Sequence, residues 1–378
     1  MTEPAAMTQS TAMTPSAAMT EPTAAPDDAT AIELVRQMVQ IASPSGHEGE
    51  LAAFVCQAMT DLGFRAGVDA TGNVCGSIER GPGPTVMLLG HLDTAGDPLP
   101  TSIRDGRLHG RGSVDAKGPL AAMICAAARA VKAAGTITVV GVVEEETPGS
   151  RGAVAVRQNY PTPAALIIGE PSGWSSVVLG YKGKLDLTYR VQRPSTHPTN
   201  PAAKASELAV ECWHAVLDLL GPEASHARFD QPGATLVSVS GGMTEAEIAV
   251  SVRTPLGFDS AGLLAQLRER CPHGELSVVN DVAACRADRR NPVVLSLCGP
   301  IRAAQAVPGL KLRSGTSDMN TLAQDWNIPM ATYGPGHNVL DHSDDEHLVL
   351  ADYLRSIEVL SSALTLLSPA LDQAVRPR

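Results

Sequence analysis

The feature that most constrains this chain is a set of short apolar runs, each ending abruptly in an acidic residue or a histidine. The runs cover residues 85–90, 137–143, 164–168 and 328–333. They are followed, in order, by His91 with Asp93, by the acidic run Glu144–Glu146, by Glu170, and by histidines at 337, 342 and 347. Such runs are typical of strands buried on both faces, and open α/β sheets bind ligands at the carboxyl ends of their strands. The sequence therefore predicts an α/β fold with a site at that edge.

The pattern changes between residues 181 and 290. Before it, we predict helices over 28–41, 48–62 and 118–135 and strands over 67–78 and 84–89. Within it, the predicted order is β-α-β-β-α-β, which is that of a ferredoxin-like module. We therefore predict a catalytic domain over 29–180 and 291–378 and an inserted α+β domain over 181–290. The Ala-, Thr- and Pro-rich residues 1–28 are predicted to be a disordered tail.

Composition narrows the classes of function. The formal net charge of −11 and the 3% aromatic content argue against binding to nucleic acid or to an anionic membrane surface. The 7 cysteines form no C-x-x-C pair, which argues against disulfides and favours a reducing cytoplasm. No apolar run approaches the length of about 20 residues that a membrane helix needs. We expect a cytoplasmic protein with no membrane partner.

Seven motifs follow one another along the chain: GHLDT at 90–94, GRGSVDAKG at 110–118, EEE at 144–146, GEP at 169–171, THP at 196–198, SGTSD at 314–318 and GPG with DHS within 334–343. Together they resemble the two-zinc amidohydrolases that include acetylornithine deacetylase and succinyl-diaminopimelate desuccinylase. This resemblance implies a zinc-exopeptidase-like catalytic domain with a mostly parallel sheet. It also implies an inserted ferredoxin-like domain that acts as a lid and forms a homodimer.

The resemblance further implies a metal centre with two Zn²⁺ ions per subunit, for which Co²⁺ can substitute. Asp115 would bridge the two ions. His91 and Glu170 would complete one site, and Glu146 and His342 the other. Of the three C-terminal histidines, the resemblance selects His342 because Ser343 and Glu346 follow it at the family's spacing.

Other roles also come from the resemblance. Glu145 would be the general base, and Asp93 would fix the orientation of a liganding histidine. His197 would reach the active site of the neighbouring subunit and stabilise the oxyanion. The residues expected to bind a substrate carboxylate or the nearby substrate groups are Arg253, Gly315 and Thr316.

Within the family, VDAKGPLAA, VVEEETPGSRGA, IIGEPSGW and SGTSDMN are similar to enzymes that release lysine from an amino-group carrier protein. The implied substrate is an acidic carrier protein whose terminal glutamate is linked to lysine, with ornithine as a second possibility. Acetylornithine deacetylation is the alternative within this enzyme class, and a catalytically silent scaffold is the alternative outside it. A basic patch for the carrier is expected at Lys182, Lys184, Arg190, Arg193 and Lys204.

Overall fold

The computed structural model describes residues 25–375, so most of the predicted tail lies outside the described residues. The helices are α1 Asp28–Gln40, α2 Gly49–Asp61, α3 Lys117–Arg129, α4 Arg151–Asn159, α5 Ala205–Leu220, α6 Ser260–Arg270, α7 Pro292–Ala303, α8 Asp318–Ala323 and α9 Leu350–Val375. The strands up to residue 192 are β1 Arg65–Val68, β2 Val74–Glu79, β3 Thr85–His91, β4 Ser102–Arg104, β5 Arg107–His109, β6 Thr136–Val142, β7 Ala165–Ile168, β8 Ser176–Tyr181 and β9 Gly183–Gln192. The later strands are β10 Gly233–Gly241, β11 Glu245–Thr254, β12 Glu275–Val282, β13 Cys285–Arg286, β14 Gly309–Arg313, β15 Met330–Thr332 and β16 His347–Val349.

A nine-stranded sheet with helices on both faces forms the larger part of the structure. Its order is β1-β2-β6-β3-β7-β15-β8-β13, with β14 paired to β8. The strands β6, β3, β7 and β15 are mutually parallel, whereas the β1, β2 and β13 pairings are antiparallel. Successive side chains point to opposite faces, so Leu88 packs on the side of α1, α3 and α9 while Leu89 packs on the side of α4 and α8. This alternation explains why the central runs are apolar throughout.

The strands between residues 183 and 282 form a separate four-stranded antiparallel sheet. Its order is β10-β11-β9-β12, and α5 and α6 cover one face with a core of their own. The chain order β9-α5-β10-β11-α6-β12 is the predicted β-α-β-β-α-β arrangement. The predicted fold class is therefore confirmed, while the domain limits at 181 and 290 stay a prediction.

Two sequence-based assignments near the sheet are wrong. Residues 67–78, predicted as extended, contain the turn of the β1–β2 hairpin. There the Asp69 carboxylate accepts hydrogen bonds from the backbone N–H groups of Thr71, Gly72 and Asn73, which stabilises the reversal. The helix predicted to reach residue 135 ends at Arg129. A small three-stranded sheet, in the order β16-β5-β4, was not predicted at all.

The C-terminal helix α9 contradicts the expectation that no apolar segment is long enough to cross a membrane. Its segment Leu350–Leu371 has 22 residues and a mean hydropathy of 1.2, so by length and composition alone it could cross a membrane. Half of this segment is buried inside the structure, where Tyr353, Leu360 and Leu364 join the main core beside α3 and α7. A core helix of a soluble protein passes the same test, so one such helix is weak support for a membrane role.

Candidate metal centre

The predicted edge of the nine-stranded sheet collects the acidic and histidine side chains. β3 ends at His91, β6 ends just before the acidic run 144–146, and β7 ends just before Glu170. Since β3 pairs in parallel with both β6 and β7, these ends lie side by side. Asp115, which precedes α3, and His342, in the loop between β15 and β16, approach the same edge.

Asp115 stands at the middle of this cluster, with one imidazole at each carboxylate oxygen. Nε2 of His91 lies 3.2 Å from Oδ1 of Asp115, and Nε2 of His342 lies 3.2 Å from Oδ2. Each imidazole has a further carboxylate, because His91 is 3.8 Å from Glu170 and His342 is 2.9 Å from Glu146. The cluster therefore divides into two halves that share Asp115.

Asp93 ties this cluster to the acidic run. Its carboxylate is fully buried and accepts hydrogen bonds from the backbone N–H groups of Glu145 at 3.0 Å and Glu146 at 3.1 Å. The hydroxyl of Ser45 donates to the same carboxylate at 2.7 Å. Burial opposes its charge, but the hydrogen bonds and the nearby His91 hold the pKa of Asp93 below its usual value. Asp93 thus fixes both the strand-end backbone and the adjacent imidazole.

The electrostatics show an excess of negative charge. Burial and the carboxylate of Asp318 raise the pKa of Glu145 well above its usual range, although His91 acts in the opposite direction. Burial likewise raises the pKa of Asp318 to about 7, and the pKa of Glu170 is raised by burial and by the charge of Asp115. Buried carboxylates in such number are costly without cations.

The donor set fits divalent metal ions. Imidazole nitrogens and carboxylate oxygens are the usual ligands of zinc and related ions, and a carboxylate can bridge two of them. Nδ1 of His91 lies 2.9 Å from the backbone carbonyl of Asp93. A donated hydrogen bond there leaves the Nε2 lone pair facing Asp115 and Glu170, the tautomer that a ligand requires. The residues present therefore suit a centre of two metal ions.

A buried ion pair behind Asp115 was not assigned a role from sequence. Oε1 of Glu346 accepts hydrogen bonds from the backbone N–H groups of Val114 at 2.9 Å and Asp115 at 3.1 Å, and Oε2 accepts from Arg111 at 3.0 Å. Both side chains of the pair are nearly buried. The spacing of Glu346 four residues after His342 was the signal that could have identified it.

A cleft of about 400 Å³ opens from the cluster. It brings together the predicted residues Arg253, Gly315 and Thr316, and Nη1 of Arg253 donates to the Thr316 hydroxyl at 3.2 Å. The cleft also contains Lys184, which was predicted as part of the carrier patch, and the charged residues Arg313 and Asp341, which were given no role from sequence. The cations Arg253, Lys184 and Arg313 outnumber the acid Asp341 among these residues, so this part of the lining suits a carboxylate.

His197 lies away from the cluster within this chain. It is in an exposed loop after β9, where its Nδ1 is 2.7 Å from the hydroxyl of Thr199. Of the other C-terminal histidines, His337 forms an isolated β-bridge with Ser172, and His347 lies beside His109 with ring centroids 5.1 Å apart.

The predicted basic patch is wrong for two of its lysines. Lys182 is buried and donates to the backbone carbonyls of Ser225 and Gln231. Lys204 is also buried and donates to the carbonyl of Asn200 at 2.6 Å. A buried lysine that donates to backbone carbonyls is not available to a partner. Two further members are paired with acids, Lys184 with Asp186 and Arg190 with Glu247.

Comparisons with known proteins agree with this geometry. The profile of peptidase family M20/M25/M40 matches residues 87–366. The [LysW]-lysine hydrolase of Deinococcus radiodurans is 38% identical over 361 residues, which cover 91% of this chain and 98% of that protein. A putative [LysW]-lysine/[LysW]-ornithine hydrolase of Pyrococcus abyssi is 35% identical, covering 88% of this chain and 93% of that protein.

A solved structure shows the same fold. It is an M20 family metallo-carboxypeptidase of Sulfolobus solfataricus, with a TM-score of 0.78 at 15% identity, covering 90% of this chain and 99% of that chain. The profile match extends over most of the chain, and the first two relatives exceed 30% identity over nearly their whole length. This chain belongs to peptidase family M20/M25/M40.

Proposed function

We propose that this protein is a two-metal hydrolase that cleaves the amide between lysine, or ornithine, and the terminal glutamate of an amino-group carrier protein. The observation that carries the proposal is the pair of imidazoles on the two oxygens of Asp115, at strand ends that also supply Glu145. The carrier-linked substrate is supported by relatives named [LysW]-lysine hydrolase and putative [LysW]-lysine/[LysW]-ornithine hydrolase.

The metal ligands we propose are His91, Asp115, Glu170, Glu146 and His342, with Asp115 shared. We propose zinc as the metal, with cobalt able to replace it, because this nitrogen and oxygen donor set suits both ions. When bound, the ions polarise the amide carbonyl and make water a stronger nucleophile. Two sites are supported because His91 and His342 approach different oxygens of the Asp115 carboxylate.

Proton transfer falls to Glu145. Its carboxylate takes a proton from the attacking water and returns it to the departing amine nitrogen, so the same group acts as base and then as acid. Asp93 holds the Glu145 backbone N–H at 3.0 Å, which keeps the carboxylate at the edge of the sheet. Asp93 is therefore a positioning residue for both Glu145 and His91.

Substrate orientation falls to the cationic wall of the cleft. Arg253 presents a planar pair of donors that matches a carboxylate of the lysine or glutamate moiety. Its hydrogen bond to Thr316 fixes the guanidinium, and Gly315, with open space at its Cβ position, lets the backbone come close to the substrate. These three residues are proposed to act together because all of them line the cleft.

We further propose a homodimer through the four-stranded sheet, in which the partner copy completes the site with His197. The support is that His197 is exposed and lies outside the cleft of its own chain. The strand β10, at one edge of that sheet, also exposes Val237 at 62% and Val239 at 61%. All seven cysteines lie within the described residues 25–375, and none forms a disulfide there. We propose a cytoplasmic location because a reducing compartment keeps thiols free.

The test is amino-acid release by the purified, zinc-loaded chain from three substrates: carrier-linked lysine, carrier-linked ornithine and N-acetylornithine. We expect rapid release of lysine from the carrier. Fast turnover of N-acetylornithine with no release from either carrier conjugate would overturn the proposal. A matched variant, Glu145→Gln, serves as the control that assigns the activity to this site.

A further inference from the structure

A second group of metal-ligating side chains lies on the small sheet of β16, β5 and β4. His109, the last residue of β5, is directly opposite His347, the first residue of β16, in an antiparallel register. Directly opposite residues in such a pair project from the same face with their Cβ atoms about 5 Å apart. Asp345 lies two residues before His347, in the turn that leads into β16. The backbone pairing therefore holds two imidazoles and one carboxylate together.

The distances among these groups are close to those in a metal site. Nδ1 of His109 lies 3.8 Å from Oδ1 of Asp345, and Nδ1 of His347 lies 3.7 Å from Oδ2. One ligand atom from each residue lies within 4.8 Å of the others. Tetrahedral zinc with bonds of about 2.0 Å needs ligand atoms roughly 3.3 Å apart, so a shift of each side chain by less than about 1 Å suffices.

The ring of His347 is also held in a suitable orientation. Its Nδ1 lies 2.7 Å from the backbone carbonyl of Asp345. This contact turns Nδ1 of His347 toward Asp345; when an ion binds the Nδ1 lone pair, the ring proton lies on Nε2 and the metal bond replaces the hydrogen bond to the carbonyl. The imidazole of His109 packs beside it, with ring centroids 5.1 Å apart. Both rings are largely buried, while Asp345 is 76% exposed and opens the group to solvent.

We propose that His109, Asp345 and His347 bind a further divalent transition-metal ion, separate from the centre at Asp115. Two imidazoles and one carboxylate leave a fourth position for water, and this donor set favours zinc, cobalt or nickel over magnesium or calcium. The inference goes beyond the proposed hydrolase function and does not depend on it.

An ion at this site would also affect the neighbouring segment 342–346. The segment from His342 to Glu346 leads directly into His347, and it carries a proposed ligand of the main centre together with the support for Asp115. His342 has a left-handed backbone conformation, with φ 58°, and its side chain is 48% exposed. Through Asp345 and His347, an ion between β5 and β16 restrains the C-terminal end of this short segment, and so limits the movement of His342 over Asp115.

One side chain competes with the ion. Nη2 of the exposed Arg104 lies 3.4 Å from Nδ1 of His109, so a bound cation must displace this guanidinium. The repulsion between Arg104 and the ion weakens binding. Removal of the Arg104 charge should therefore strengthen binding of the ion, whereas a purely structural cluster of hydrogen bonds would lose stability.

The test counts metal ions per chain by mass spectrometry after zinc loading and desalting. His109→Gln and His347→Gln should each hold one zinc fewer than the wild type, while the exposed His273→Gln is the matched control and should equal the wild type. Each variant is compared with the wild type by the difference in zinc ions per chain, so the result does not depend on how many ions the Asp115 centre holds. An unchanged count in both variants refutes the site, as does a loss in His347→Gln alone.

A second measurement uses affinity. Competition with a chromophoric chelator measures the affinity for zinc. The weakest zinc site of the Arg104→Gln chain should bind at least twofold more tightly than the weakest zinc site of the wild type. An equal or lower affinity contradicts the proposal. Hydrogen exchange across residues 341–349 should slow more on addition of zinc in the wild type than in His109→Gln, where only the main centre at His342 still responds, and an equal response in both chains also contradicts the proposal.

Discussion

Replacing Glu346 with glutamine tests the buried support behind Asp115. The carboxylate accepts one hydrogen bond from Arg111 and two from backbone N–H groups of Val114 and Asp115. A glutamine side chain can keep its oxygen on the two N–H groups, but its amide N–H₂ then faces the guanidinium of Arg111, donor against donor. The nearly buried Arg111 also loses its countercharge.

The expected cost is about 3 kcal/mol in the free energy of unfolding. Removing one partner of a buried ion pair costs about 3–5 kcal/mol. The lower end applies because Arg111 still donates to the carbonyls of Asp97 and Ser343, which partly satisfies the guanidinium. Movement of the Asp115 backbone should also lower kcat, since a displacement of about 1 Å at a reacting group can cost about 10²-fold.

Urea unfolding followed by circular dichroism measures this cost. The matched control is Glu358→Gln on the exposed side of α9, which should change stability by less than about 0.5 kcal/mol. A double-mutant cycle measures the coupling between the two side chains. The loss of unfolding free energy caused by Glu346→Gln should be smaller by at least about 1.5 kcal/mol when Arg111 has already been replaced by methionine. A Glu346→Gln cost below about 1 kcal/mol, or a coupling energy near zero, would refute this account of the ion pair.

Four further predictions test the site. Glu145→Gln should lower kcat about 10²–10⁴-fold with unchanged metal content, and near-normal turnover contradicts the assignment of the base. Arg253→Met should lower kcat/KM about tenfold or more, chiefly through KM, because a charge-assisted hydrogen bond to the substrate is lost; an unchanged KM removes Arg253 from substrate binding. Chelation of the metal should abolish amino-acid release, and Zn²⁺ or Co²⁺ should restore it; full activity of the metal-free chain argues against the centre. Finally, burial lowers the pKa of Lys117 to about 8, and its Nζ donates to the Ile41 carbonyl at 2.6 Å. Between pH 8 and about 10.5 the unfolded chain then binds more protons, so this group makes stability rise with pH by up to about 3 kcal/mol, and Lys117→Met should remove that rise in pH-dependent urea titrations. Parallel pH profiles of the two chains would contradict it.

The sequence located the main site because its signals are local. An apolar strand that stops at an acidic residue or a histidine marks its own end, and the parallel pairing of β3 with β6 and β7 follows the usual rule for such strands. His91, Glu145 and Glu170 therefore come together for a reason that can be read in short windows. The alternating and helical patterns of residues 183–282 are equally local, which is why the order of that module was predicted.

Other features depend on contacts between distant parts of the chain. Glu346 reaches Arg111 and Asp115 across more than two hundred residues, and only packing determines that its carboxylate meets those N–H groups. The lysines at 182 and 204 look available in sequence, but both side chains are buried and their Nζ atoms donate to backbone carbonyls. Charge clustering along a chain does not specify which side chains reach solvent.

The sequence by itself determined the fold class, the edge of the sheet that carries the site and the residue types that collect there, because strand burial and strand ends are encoded by neighbouring residues. Tertiary structure alone decided how these residues are arranged. It placed one imidazole on each oxygen of Asp115, set the buried Glu346 behind it, and paired His109 with His347 across two short strands. Such distances of a few ångströms are set by packing and by hydrogen bonds between distant segments, for which no local pattern exists.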